Sequence, residues 1–204
     1  GSEMCIRDRV QKNRSSKLEF IALMAALMSV TALAIDALLP ALDIIGIDLG
    51  VVLQADNQLL ITMIFLGLGL GPLLFGPLSD AIGRKPSVYM GFSVFLLASF
   101  VCVHATSLEM MIVGRILQGI GLSAPRTICI AIIRDLYQGD YMARVMSFVT
   151  IVFLLIPIVA PAMGKFVLDS YTWQAIFYVQ AAISVVVTIW FWLRQKETLA
   201  VNNR

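Results

Sequence analysis

Residues 76–85 read GPLSDAIGRK. This polar stretch parts two apolar runs, one ending near Phe75 and the next beginning near Val88. An acid, Asp80, lies between Gly76 and Gly83, and an Arg84–Lys85 pair follows. Gly83 permits a tight connection because it has no Cβ. Pro86 suits the first turn of the helix that follows, where its missing N–H costs nothing. Asp80 is expected to accept backbone N–H groups at a helix start, favoured by the positive end of the helix dipole. Arg84 and Lys85 suit a loop held at the inner face of a membrane. That placement explains the two cations, but not Gly76, Asp80 and Gly83 at this spacing.

The flanking runs identify the solvent. Of 204 residues, 59% are hydrophobic and only 14% charged, and the mean hydropathy is +0.89. A soluble domain is about half apolar. Runs of about 18 or more residues with few charges read as membrane-crossing helices. Such runs recur along the chain, and a helix satisfies its own backbone in lipid. Strands of a membrane barrel would be short and alternating, and these runs are long and continuous. The predicted class is an all-α membrane protein with six spans, at 19–39, 58–75, 87–104, 108–133, 146–168 and 173–193. The longer connection, 40–57, holds Asp43, Asp48 and Asp56. It is expected to extend the first helix and turn at Gly46 or Gly50, with Asp56 or Asn57 capping the second span.

Charge placement predicts orientation. With the N-terminus inside, 12 of the 15 Lys and Arg residues fall on inner segments. Arg115 and Arg126 lie within the fourth span, and only Lys165 falls toward the outside. Both termini are therefore expected to be cytoplasmic. Residues 1–17 read as a cytoplasmic tail whose first nine residues, GSEMCIRDR, look non-native. Residues 18–195 form the transmembrane domain, and 196–204 begin a cytoplasmic linker. Cys5, Cys102 and Cys129 give neither a disulfide framework nor a metal spacing. His104 is a lone histidine at a helix end. No hydrolytic, redox or nucleic-acid-binding pattern appears, so neither an enzyme nor a cofactor is expected.

Inside the spans, three polar features stand out. Arg115, Gln118, Leu122 and Arg126 share one face of the fourth span, because 11 residues return nearly to the same angle. Arg115 lies about 12 Å from the outer end of that span, at a rise of about 1.5 Å per residue. Asp36 lies near the outer end of the first span, at a similar depth. Charges in a bilayer usually face a partner or a water-filled cavity. The stripe is therefore read as cavity lining, with a buried ion pair that only fixes packing as the alternative. Desolvation favours a neutral carboxyl and a nearby guanidinium favours a carboxylate. That balance makes Asp36 a candidate for proton or cation coupling, tuned by Arg115. The glycines of GLGLGPLLFG, residues 67–76, are expected to let helices approach closely. Pro157 and Pro161 are expected to bend the fifth span. Trp173, Tyr178, Trp190 and Trp192 suit an interfacial belt.

GPLSDAIGRK resembles the loop between helices two and three of the major facilitator superfamily, Gly-x-Leu-x-Asp-Arg-x-Gly-Arg-Arg/Lys. Gly76, Leu78, Asp80, Gly83, Arg84 and Lys85 match, and Ala81 replaces a usual basic residue. RILQGIG, from Arg115 to Gly121, resembles the helix-four motif Arg-x-x-Gln-Gly-x-Gly. AIDALLPAL, from Ala34 to Leu42, resembles the end of helix one in drug:proton antiporters. IPIVAPAMG, from Ile156 to Gly164, resembles the helix-five antiporter motif, carried by Pro157, Ala160, Pro161 and Gly164. There Ala160 replaces the usual Gly before Pro161, and Lys165 replaces a second. Together with RDLY, WQAIF and ETL, the pattern is similar to the bicyclomycin-resistance type of exporter across about residues 18–199.

The resemblance implies a conformational gating loop made of Gly76, Asp80, Gly83, Arg84, Lys85 and Asp135. Asp80 would dock on a helix of the other half when the transporter faces outward, and Arg84 would pair with Asp135. It implies the N-terminal six-helix bundle of the major facilitator fold, a 3+3 inverted repeat. The expected whole is a proton-coupled multidrug antiporter of the inner (plasma) membrane, exporting small hydrophobic or cationic substrates. A C-terminal six-helix half would come from the same gene, a second copy or a separate chain. The alternatives are a metabolite carrier on the same fold, or a six-helix membrane protein with a structural or regulatory role.

Overall fold

The computed structural model describes residues 2–51, 54–195 and 197–198, with side chains for 17–51, 56–195 and 197–198. The question of a non-native leader, and most of the expected linker, lie outside the described side chains. Helix α1 runs Ser2–Asp36, so it continues through the segment expected as a separate tail. A 3₁₀ turn, Leu39–Ala41, begins at the Pro40 bend and leads into the short helix α2, Leu42–Asp48. The chain reverses at Gly50, whose φ of +69° suits glycine. A second 3₁₀ turn, Gln54–Gln58, enters α3, Leu59–Ile82. Then follow α4 (Arg84–Val103), α5 (Leu108–Leu136), α6 (Gly139–Ser170) and α7 (Gln174–Arg194). Among the described residues, six helices are long and apolar enough to cross a membrane.

Several helices outrun the expected spans. Helix α3 continues past Phe75 through Ser79 and Asp80, and α6 begins at Gly139 instead of 146. The apolar pattern marks where lipid ends, but the backbone hydrogen-bond ladder continues until something stops it. At the end of α3 the stop is Gly83, with φ of +112°, a conformation that side chains disfavour. The polar turn of the sequence is therefore one residue long. Asp80 lies in the last turn of α3, not at a helix start, which corrects the expected role as backbone acceptor. The expected cap on α3 is also absent: Gln58 is the N-cap and makes no side-chain bond. Asp56 and Asn57 sit one turn earlier, inside the 3₁₀ turn. The Asn57 side chain instead packs on Gly46 and donates to Asp43 Oδ1 at 3.4 Å, tying α2 to the start of α3.

The two triplets of spans interleave. Helix α5 packs against α3 and α4, α6 against α1, and α7 against α4. Small residues set the closest crossings. A methyl at Gly67 would stand 2.9 Å from Gly119 Cα, and Gly71 abuts the Ser123 side chain. Gly69 and Gly76 meet nothing within 4 Å, so only half of the glycine run serves close packing. Gly164 of α6 presses on the Ala37 backbone, and the adjoining Ala160 is fully buried while Pro157 is exposed.

The core has two apolar clusters. One, toward the Gly83 turn, joins Met24, Leu27, Phe92, Phe95, Ile128, Ile132 and Phe191. The other, at the far end, joins Leu38, Ile45, Leu60, Met111, Trp173 and Phe177. Trp173 is 3% exposed, so it is no interfacial belt residue, unlike Tyr178 and Trp192, which are exposed. Its indole Nε1 donates to Asp48 Oδ2 at 2.7 Å, which fastens α2 to the start of α7. A buried indole needs such a partner. Trp173→Phe keeps a smaller aromatic ring and loses the bond to Asp48. We expect a loss of about 1–2 kcal/mol, read as a melting shift of about 2–8 °C. An unchanged melting temperature would show that the bond does not secure α2.

Candidate functional site

Two polar assemblies interrupt the apolar packing. The first is at the Gly83 turn. Gly83 brings Arg84, the first residue of α4, back across the end of α3. The Arg84 guanidinium then reaches three acceptors: Asp80 Oδ1 at 2.6 Å and Ser79 Oγ at 2.8 Å through Nη1, and Asp135 Oδ2 at 3.1 Å through Nε. Its side chain is 11% exposed, against 65% for Asp80 and 27% for Asp135. One cation therefore pins the last turn of α3 and the last turn of α5 to the start of α4. The planar fork of arginine suits this, because its donors point in fixed and separate directions. Asp80 has a partner within this chain, Arg84, which the sequence reading did not foresee. Lys85 points the other way and donates from Nζ to the Trp192 carbonyl of α7 at 3.4 Å.

Beside the clasp runs a groove of about 390 Å³ between α3 and α5. Asp80, Arg84, Arg126 and Arg134 line it, and so does Gly76, whose missing side chain leaves the groove open. Arg126 is exposed, with its guanidinium 6.0 Å from the Phe153 ring centre.

The second assembly is a buried layer between the two apolar clusters. Arg115 is 0% exposed and so is Gln118. Arg115 Nη1 donates to Gln118 Oε1 at 2.8 Å, and Gln118 Nε2 donates to Ser99 Oγ at 2.8 Å. Arg115 Nε donates to the Leu60 carbonyl at 3.3 Å. Both Nη atoms lie 3.4 Å from the Ala34 carbonyl. Helix α1 ends at Asp36, so the Ala34 carbonyl is one of the last-turn carbonyls that α1 cannot bond itself. Such carbonyls carry the negative end of the helix dipole. The helix terminus thus supplies the counter-charge, and the Phe177 ring, 5.8 Å from the guanidinium carbon, adds its negative face.

This corrects two expectations. The stripe Arg115, Gln118, Leu122, Arg126 divides, with the first three enclosed between helices and only Arg126 on an open face. Nor does Arg115 pair with Asp36: the guanidinium meets the Ala34 carbonyl instead. Asp36 is half-buried at the end of α1, and among the described residues no side chain forms an ion pair with it. Sequence reasoning missed Ser79, Ser99 and the Leu60 and Ala34 carbonyls. Serines in apolar runs carry no visible signal, and backbone acceptors carry none at all. The termination of α1 at Asp36, two residues past Ala34, was the available clue.

Six membrane-crossing helices, a one-residue arginine clasp and a buried arginine layer define a polytopic helical membrane protein with a transporter-like core. The chain belongs to the Major Facilitator Superfamily, which it matches over residues 21–204. It is 31% identical over 191 residues to the bicyclomycin resistance protein homolog of Haemophilus influenzae, covering 94% of this chain and 48% of that protein. It is 30% identical over 185 residues to the multidrug resistance protein MdtL of Salmonella paratyphi C, covering 90% and 46%. The chain spans about half the length of the relatives it matches. The human organic anion transporter MFSD10 shares the fold, with a TM-score of 0.69, 18% identity, and coverage of 92% of this chain and 50% of that one.

Proposed function

We propose that this chain is the N-terminal half of a proton-coupled multidrug efflux antiporter of the inner membrane, working by alternating access. Both termini face the cytoplasm, so the Gly83 turn lies on the inner side. The observation that carries the reading is the clasp, in which Arg84 joins α3, α4 and α5 through Asp80 and Asp135. The pair is partly solvated, so each contact is worth only about 1 kcal/mol or less. A joint that weak can open and close within a transport cycle. The groove beside it, lined by Gly76, Asp80 and Arg126, suits the docking of a helix from a second half. The resistance proteins named above favour drug export over metabolite carriage.

Asp36 is the proposed proton carrier. It is half-buried, and no described side chain forms an ion pair with it. Arg115 is already satisfied by the Leu60 and Ala34 carbonyls and Gln118, and its role is to hold the end of α1 in place. Of the helix-five motif, Ala160 and Gly164 are buried where α6 meets this end of the bundle and Gly164 touches Ala37, while Pro157 lies on the exposed side. The test uses the complete polypeptide, both halves, in liposomes with an imposed pH gradient and ethidium as substrate. Asp36→Asn is expected to slow gradient-driven movement about tenfold or more, equal to roughly 1.4 kcal/mol of barrier. Asp36→Asn that transports normally and still follows the gradient would remove Asp36 from coupling. Ethidium movement indifferent to the gradient in the unaltered protein would overturn proton coupling itself.

A further inference from the structure

Helix α4 begins with a defect. Its N-cap is Gly83, which has no side chain and offers no capping bond to the first free N–H groups. Those N–H groups are nevertheless bonded. The Arg84 backbone N–H donates to Glu197 Oε1 at 3.0 Å, and the Lys85 backbone N–H donates to Glu197 Oε2 at 3.1 Å. One carboxylate thus supplies both acceptors, from 112 and 113 residues further along the chain. A negative group at a helix N-terminus is favoured by the dipole, and bonds to an ionised acceptor are stronger than neutral ones. The next residue joins the clasp itself: Thr198 Oγ1 donates to Asp135 Oδ2 at 3.4 Å, the same oxygen that receives Arg84 Nε. Glu197 and Thr198 stand just beyond the end of α7 at Arg194.

We propose that Glu197 is a positioning residue that caps α4 in trans and, with Thr198, holds the segment after α7 against the Gly83 turn as a latch on the clasp. Gly83 must be glycine for its backbone conformation, so the cap has to come from elsewhere, and the segment after α7 brings it. The latch and the clasp share Asp135, so opening one loosens the other. The segment that leads toward a second half is thereby tied to the state of the turn. This last step rests on the alternating-access reading above, whereas the cap itself does not.

Hydrogen exchange of the full 204-residue chain in lipid nanodiscs tests the cap without any transport. Glu197→Ala is expected to speed exchange of the Arg84 and Lys85 amides about tenfold, the scale of a lost charged cap. Glu197→Gln retains one acceptor oxygen and is expected to release one of the two amides. Glu109→Ala, at the opposite end of the bundle, is expected to leave both amides protected. Unchanged exchange at Arg84 and Lys85 in Glu197→Ala overturns the proposal. If Glu197→Ala loosens the whole bundle, Glu197→Gln decides: selective release supports the cap, and full protection overturns it. Asp135→Asn is expected to raise exchange at the same two amides, and no rise overturns the latch. Failure of drug movement in liposomes leaves these results standing, so the two readings fall separately.

Discussion

Gly119→Leu is expected to destabilise the packed bundle strongly, whereas Gly69→Leu is expected to leave it intact. A Cβ at Gly119 would press on the Ile64 carbonyl oxygen and stand 2.9 Å from both Gly67 Cα and the Leu68 nitrogen. All three are backbone atoms of α3, which have no alternative rotamer. Overpacking typically costs about 1–3 kcal/mol when side chains can move aside. Here two helices must separate along the largest helix contact in the bundle, so the cost reaches or exceeds the top of that range. A loss of about 3 kcal/mol corresponds to a melting shift of about 6–12 °C for a domain this size. Gly69 is two residues from Gly67 on the same helix and meets nothing within 4 Å. Leucine there faces outward and improves helix propensity. Thermal melting of both variants by size-exclusion fluorescence is the check. Equal behaviour of the two would mean that α3 and α5 do not cross where described.

Arg115→Ala is the second large effect. It strands the Ala34 carbonyl, past which α1 ends, and the Gln118 Oε1 in a fully buried layer, while the Leu60 carbonyl keeps its place in the α3 ladder and Gln118 Nε2 keeps Ser99. Each stranded buried acceptor costs about 1–3 kcal/mol. Removing the buried charge returns part of that, since a guanidinium without a carboxylate partner is itself costly to bury. The balance is expected near 3 kcal/mol of lost stability, by those same magnitudes. Arg115→Lys separates shape from charge. A lysine ammonium is a compact point charge and cannot span α1, α3 and Gln118 together. It is expected to recover less than half of the loss. Melting temperatures of the three proteins decide the matter. Full recovery by lysine would show that charge alone matters and that the forked geometry does not.

The class of the fold was legible because lipid imposes a simple rule. Apolar runs of sufficient length must be helical, and their number and order follow directly. The clasp was legible in part. Asp80, Gly83 and Arg84 stand out because an acid, a glycine and a cation at fixed spacing have few structural uses, whereas Asp135 enters only through the resemblance to the major facilitator loop. Arg84 does pair with Asp135, and what the structure corrects is the position of Asp80. Asp80 was placed at a helix start because polarity ends a span, yet α3 carries its hydrogen bonds on to Gly83. Trp173 was assigned to the membrane interface because tryptophan favours it, yet its indole lies buried against Asp48.

The partners of the charges were the illegible part. Arg115 was expected beside Asp36, since opposite charges at similar depth invite pairing. Its real acceptors are backbone carbonyls at the end of α1, which every residue type provides and no pattern announces. Glu197 was noticed only within the ETL motif, and its contact crosses more than a hundred positions of sequence. By itself, then, the sequence determined that this chain is a six-span helical membrane protein with a glycine–arginine turn. That followed because hydropathy and helix geometry act locally and add along the chain. Which helices touch, which glycines are pressed against a neighbour, and which acceptor satisfies each buried donor were decided by the tertiary structure alone. Those outcomes depend on the distances between segments that packing brings together, and no local pattern encodes them.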